Sequence, residues 1–195
     1  MKCGSPSSAG SRVDNGSSPV STTPMRLVAS VARRRVALGF LAGIVTLVLA
    51  QPTWTTWRAG LVVAAIGEAI RVWAAGHLEK SREVTRSGPY RWTSHPLYLG
   101  SSIMALGVLI ASRSLIVAVV VSVYMAVTIS SAIVTEERFL RQTFGTTYDD
   151  YKRAQAEPVA RRFSFARARR NREHRAIAGL AAGFAILALK IALSI

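Results

Sequence analysis

The sequence predicts an all-α, polytopic membrane bundle of about five transmembrane helices with a cytoplasmic N-terminus. Half of the 195 residues are hydrophobic, yet 25 Lys and Arg stand against 10 Asp and Glu, a formal net charge of +15. The apolar residues gather in long runs separated by Arg-rich stretches instead of recurring on one helical face, which is how membrane spans alternate with aqueous loops. The basic stretches also fall on one side of the membrane when the runs are counted as five crossings.

The chain length allows one or two domains and excludes large repeat arrays. Cys3 is the single cysteine, so there is no disulfide framework and no thiolate metal site, and no metal is expected. The basic residues flank apolar runs without interleaved aromatics, so anionic lipid headgroups, not nucleic acid, are the expected counter-charge.

Residues 1–25, rich in Ser, Gly, Pro and Thr through Met1 to Pro24, cannot bury enough apolar surface to offset chain entropy and are expected to form a disordered tail. Residues 26–195 then form one integral membrane domain. Arg33, Arg34 and Arg35 precede the first apolar run, Val36 to Ala50. A signal peptide would read similarly, but the long extension ahead of it and the spans behind it favour an uncleaved helix. Trp54 and Trp57 then sit at the far headgroup level.

The second span runs from about Ala59 to Leu78, the third from about Leu97 to Ala111, the fourth from Leu115 to about Val134, and the fifth from Ile177 to Ile195. About 20 residues cross about 30 Å of hydrocarbon, so the first and third are short. Ser112-Arg113-Ser114 leaves room only for a tight hairpin between spans three and four, which are expected to pack as antiparallel neighbours. Lys80, Arg82, Arg86 and Arg91 lie between spans two and three, and Arg138 through Arg175 before span five. Five crossings place these with Arg33–Arg35 on one face and leave Arg58 and Arg113 opposite. Both large polar segments, Glu79 to His95 and Glu136 to Arg175, thereby share the cytoplasmic side.

Charged or polar side chains in this setting are the candidates for chemistry. Glu68 and Arg71, three residues apart in span two, lie on one helical face. They are either an ion pair that fixes helix packing or part of a substrate site with Arg71 holding an anion. Gly88-Pro89 and His95-Pro96 both break helix, so a structured turn leads into span three. Tyr90, His95 and Tyr98 then lie at the membrane surface, as interfacial anchors or as site residues. Glu136 and Glu137 emerge together from an apolar helix, with Arg138 and Arg141 as local partners. His77 and His174 match no metal spacing and are read as interfacial. The Arg- and Phe-bearing stretch from Arg161 to Arg175 suits either a surface-lying segment or a positive anchor for span five.

In this order and spacing, Arg71-Val72-Trp73-Ala74, Gly88-Pro89-Tyr90, His95-Pro96, Tyr98, Gly100, Glu136-Glu137, Leu140, Phe144-Gly145, Tyr148 and Tyr151 resemble the isoprenylcysteine carboxyl methyltransferase family and the related membrane phospholipid methyltransferases. The resemblance covers roughly residues 66–158. It implies an integral membrane enzyme that transfers the methyl group of S-adenosylmethionine to a lipidic acceptor by direct in-line displacement. It also implies a cofactor site of Tyr90, His95, Tyr98, Gly100, Glu136 and Glu137 at the cytoplasmic face, with His95, Glu137 and Arg71 as catalytic candidates. Ser94 stands where the family has Arg, and Ala132-Ile133-Val134-Thr135 offers no basic residue ahead of the glutamates, which leaves Arg71 as the anion anchor. Two other classes fit the spans: a nicotinamide-dependent membrane lipid reductase, and a non-enzymatic protein that binds anionic lipid.

Overall fold

The computed structural model describes residues 37–80, 82–153 and 159–193, which contain helices, turns and no strand. The tail 1–25 and the basic triplet at 33–35 lie outside these residues. Helix α1 spans Ala37–Leu49. It is followed by α2 (Trp54–His77), a 3-10 turn (Gly88–Arg91), α3 (Pro96–Ser112), α4 (Leu115–Phe144), α5 (Thr146–Lys152), α6 (Phe165–Arg170) and α7 (Glu173–Ala192). Helices α2, α4 and α7 are long and apolar enough to cross a membrane, and α1 and α3 are shorter apolar helices, in keeping with about five spans of which the first and third are short.

Each boundary has a local cause. Thr53 and Thr56 form a capping box, with Thr56 N–H on Thr53 Oγ1 at 3.3 Å and Thr53 N–H on Thr56 Oγ1 at 3.0 Å, satisfying donors a helix start leaves free. Pro96 opens α3 at the position where its missing N–H costs nothing. Arg113 in the left-handed region ends α3, and the Ser114 hydroxyl accepts from Val117 N–H to start α4. At 30 residues, α4 is about 45 Å long, which exceeds the hydrocarbon thickness and leaves its acidic C-terminal turns projecting beyond the apolar stretch.

The closest packing joins α2 to α3. A Cβ on Gly60 would lie 2.4 Å from the Gly107 carbonyl oxygen, and one on Gly67 would lie 2.6 Å from that of Gly100. Small residues let two backbones approach this far, the usual basis of helix association where lipid removes the hydrophobic drive. α3 is thus seated mainly on α2, and its hairpin partner α4 touches it less extensively than a two-residue connection suggests. α7 runs antiparallel to α2: Trp57 Nε1 donates to the Phe184 carbonyl at 2.8 Å near one end, and Arg71 pairs with Glu173 at the other. Lys190 donates to the carbonyls of Leu47 and Val48 at 3.1 and 2.8 Å, tying α7 to the C-terminal end of α1, where a cation is favoured.

Part of the Arg-rich stretch is spent on the protein itself. Ser164 N–H and Arg167 donate to the Gly76 carbonyl, and Asn171 donates to those of Ala75 and Leu78 at 2.8 and 3.0 Å. These cover the carbonyls that the end of α2 leaves unpaired. Arg167 and Arg170 also reach Glu79 at 2.8 and 3.5 Å, and Arg161 reaches Glu83 at 2.6 Å. Burial opposes the charge on Glu79, but Arg167, Arg170 and Arg161 together hold its carboxyl below the ordinary 4.5. A carboxyl depressed in the folded state contributes stability that is present above 4.5 and is lost as pH falls through the lower folded value. The difference in unfolding midpoint between the natural protein and Glu79→Gln is therefore expected to be constant near neutrality and to vanish in acid. A difference independent of pH would show that Glu79 acts through packing alone.

Candidate active site

The two polar segments meet where α3 begins and α4 ends. Gly88 takes a left-handed φ of 57°, and a Cβ there would strike the His77 ring at 2.6 Å, so the turn needs glycine. His77 itself is buried, with Nδ1 3.0 Å from the Trp73 carbonyl, and its ring backs this turn. His174 is exposed. Pro89 then forms the 3-10 turn that buries Tyr90. Burial, with the Glu136 carboxylate next in importance, pushes the Tyr90 phenol well above its ordinary range. His95 is kept out of the helical region by the following proline and caps α3, with Tyr98 one turn inside.

From the other side, the end of α4 presents both glutamates. His95 Nε2 lies 3.2 Å from Glu137 Oε1 and its Nδ1 lies 4.0 Å from Glu136 Oε2. Tyr98 donates its hydroxyl to Glu136 Oε2 at 2.9 Å, and Lys152 Nζ reaches Glu137 Oε1 at 2.8 Å. Gly145, at a φ of 50°, turns the chain back into α5. There the Tyr151 hydroxyl donates to the Tyr90 carbonyl at 2.7 Å, joining α5 to the 3-10 turn.

Tyr90, His95, Tyr98, Glu136, Tyr148 and Tyr151 line one cavity of about 430 Å³. A second, apolar chamber of about 830 Å³ lies between α1, α3, α4 and α7, with Phe40, Met104, Tyr124 and Phe184 among its walls. The two follow one another along the same helices: Leu97 and Ala132 face the first, and Ser101 and Thr128, each one turn away, face the second.

Two of the residues singled out in the sequence lie elsewhere. Gly100 packs on α2, where a Cβ would meet Arg71 Cγ and the Gly67 carbonyl oxygen, both at 2.7 Å. Arg71 does pair with Glu68 at 3.5 Å, but its main partner is Glu173, contacted through Nε and Nη2 at 3.0 to 3.3 Å, and it also donates to Ser101. Its guanidinium joins α2, α3 and α7. Nothing in the sequence assigns a role to Glu173 or Lys152, and Tyr148 and Tyr151 stand out there only by their spacing. The tyrosine spacing was the available signal, whereas nothing local marks Glu173 as the partner of a residue 102 positions away.

The phospholipid methyltransferase family matches residues 35–147, more than half of the chain. A probable protein-S-isoprenylcysteine O-methyltransferase of Oryza sativa subsp. japonica is 34% identical over 110 residues, 50% of this chain and 58% of its own. The cobalt-zinc-cadmium resistance protein CzcN of Cupriavidus metallidurans is 33% identical over 87 residues, 44% of this chain and 39% of its own. The chain thus spans about half the length of the curated relatives it matches. No solved structure matches. With the matched stretch running from α1 through the glutamate pair into α5, this is a membrane protein of the phospholipid methyltransferase family.

Proposed function

We propose that the chain is an S-adenosylmethionine-dependent methyltransferase acting on a lipidic or membrane-embedded acceptor, with its site at the cytoplasmic boundary and its N-terminus cytoplasmic. The observation that carries this reading is the convergence of His95, Tyr98, Glu136 and Tyr90 on one cavity placed a helical turn from a larger apolar chamber. The cavity fits the sulfonium of such a cofactor: the Glu136 carboxylate balances positive charge, and Tyr90 and Tyr98 bring aromatic rings of the kind that favour a cation. When bound, adenosylmethionine supplies an electrophilic methyl group.

The protein's share of the work is positioning and exclusion of water. The Tyr151 to Tyr90 bond holds α5 against the turn and walls the cavity. The chamber, whose lining is overwhelmingly apolar, takes the acceptor's hydrocarbon part. His95, steadied by Glu137, carries away the proton that an amine or hydroxyl acceptor must shed, whereas a carboxylate acceptor needs no such step. Arg71 acts at a distance through its contact with Ser101, which lines the chamber. Gly100 acts by letting α3 lie on α2.

Isothermal titration of detergent-purified protein with S-adenosylhomocysteine is expected to show binding that His95→Ala and Glu137→Ala each weaken about tenfold or more, the scale of a charge-assisted hydrogen bond. Absence of binding by folded natural protein would overturn the proposal.

A further inference from the structure

Around this cavity several side-chain donors are committed to protein acceptors: Tyr98 to Glu136, His95 and Lys152 to Glu137, and Tyr151 to the Tyr90 carbonyl. Tyr148 differs. It sits on α5, is 1% exposed and lines the cavity, and its buried hydroxyl has no hydrogen-bond partner. A buried hydroxyl left unpaired is destabilising, and a phenylalanine of nearly the same shape would avoid that cost. We infer that the Tyr148 hydroxyl is a ligand-binding donor, its proton held for a neutral acceptor atom on the nucleoside half of the methyl donor, a ribose hydroxyl or an adenine ring nitrogen. The inference rests on the proposed cofactor reading.

The chemistry of the surroundings selects the acceptor. Burial, with Glu137 next, pushes the phenol up to about 12, so it stays a donor throughout the physiological range. The glutamates at 136 and 137 both act on it in that direction, against Arg141. A ligand carboxylate drawn to the same hydroxyl would meet those acids as like charges. A neutral oxygen or nitrogen meets no such penalty.

Tyr148→Phe tests this because its two effects have opposite signs. Without ligand, the variant is expected to unfold at the same temperature as the natural protein or higher. Its dissociation constants for S-adenosylhomocysteine and for 5′-methylthioadenosine, which lacks the amino-acid half, are both expected to rise roughly tenfold, the effect of one buried hydrogen bond. Tyr151→Phe, which removes a bond made within the protein, is expected instead to lower the unfolding temperature. Lowered stability of Tyr148→Phe would mean the hydroxyl serves the fold and would overturn the inference. Unchanged affinity for both ligands would overturn it too, as would weakening confined to adenosylhomocysteine, which puts the contact on the amino-acid half. Failure of the natural protein to bind adenosylhomocysteine removes the cofactor reading and this inference together, whereas binding that Tyr148→Phe leaves intact removes the inference alone.

Discussion

Leucine at position 107 is expected to prevent the transmembrane helices from assembling, whereas leucine at position 43 is expected to leave the fold intact. Even the first added carbon at 107 would lie 2.5 Å from the Ala64 nitrogen, 2.5 Å from the Gly60 carbonyl oxygen and 2.7 Å from Ala64 Cβ. Two of these are backbone atoms of α2 that cannot rotate aside, so relief requires the helices to separate. Separation would also undo the reciprocal approaches of Gly60 and Gly67 to α3. The loss should exceed the roughly 1–3 kcal/mol usual for overpacking. At Gly43 nothing lies within 4 Å of the added carbon.

Alanine at the two positions gives the finer test. Replacing glycine by alanine inside a helix gains up to about 1 kcal/mol from backbone entropy. Gly43→Ala should therefore raise the unfolding midpoint in detergent, and Gly107→Ala should lower it despite the same intrinsic gain. Two rises would mean that α2 and α3 can part at little cost.

The spans were legible because their signal is a property of runs: apolar stretches ending at Pro52, Arg113 and the glutamate pair needed no knowledge of partners. Helix-breaking turns and charge placement put both polar segments on one side and so made a shared site possible, but that Tyr90, His95, Tyr98, Glu136 and Glu137 come together was implied by the family resemblance and not by those signals. The partnership of α3 with α2 was not legible. A two-residue link made α4 the obvious neighbour, while Gly60, Gly67, Gly100 and Gly107 announce a shared face only once two helices are laid together. The protein partners of the Arg-rich segment were hidden for a related reason: the carbonyls at the end of α2 and the acids Glu79 and Glu83, which Arg161 and Arg167 meet, are remote in sequence.

Arg71 shows the same limit with larger consequences. A guanidinium reserved for a substrate anion could be lost with little effect on folding, and Arg71→Met would then weaken only acceptor binding. In the structure that guanidinium is the counter-charge nearest both Glu173, at 3.0 Å, and Glu68, at 3.5 Å, two nearly buried acids, and it bonds Ser101 on a third helix. Removing it leaves two acids side by side without a counter-charge. Breaking a buried pair in this way costs about 3–5 kcal/mol, far more than the pair itself contributes, because an uncompensated charge is stranded. Arg71→Met is therefore expected to lower the unfolding midpoint sharply. Glu173→Gln, which keeps a hydrogen-bonding group opposite Arg71 and leaves it Glu68, should cost only about 1 kcal/mol. Removing both ends should cost less than the two single losses added together, since each single change strands what the double change removes. If Arg71→Met shifts the midpoint no more than Glu173→Gln, the three helices are not locked at this point, and Arg71 returns to candidacy as the acceptor's anion anchor.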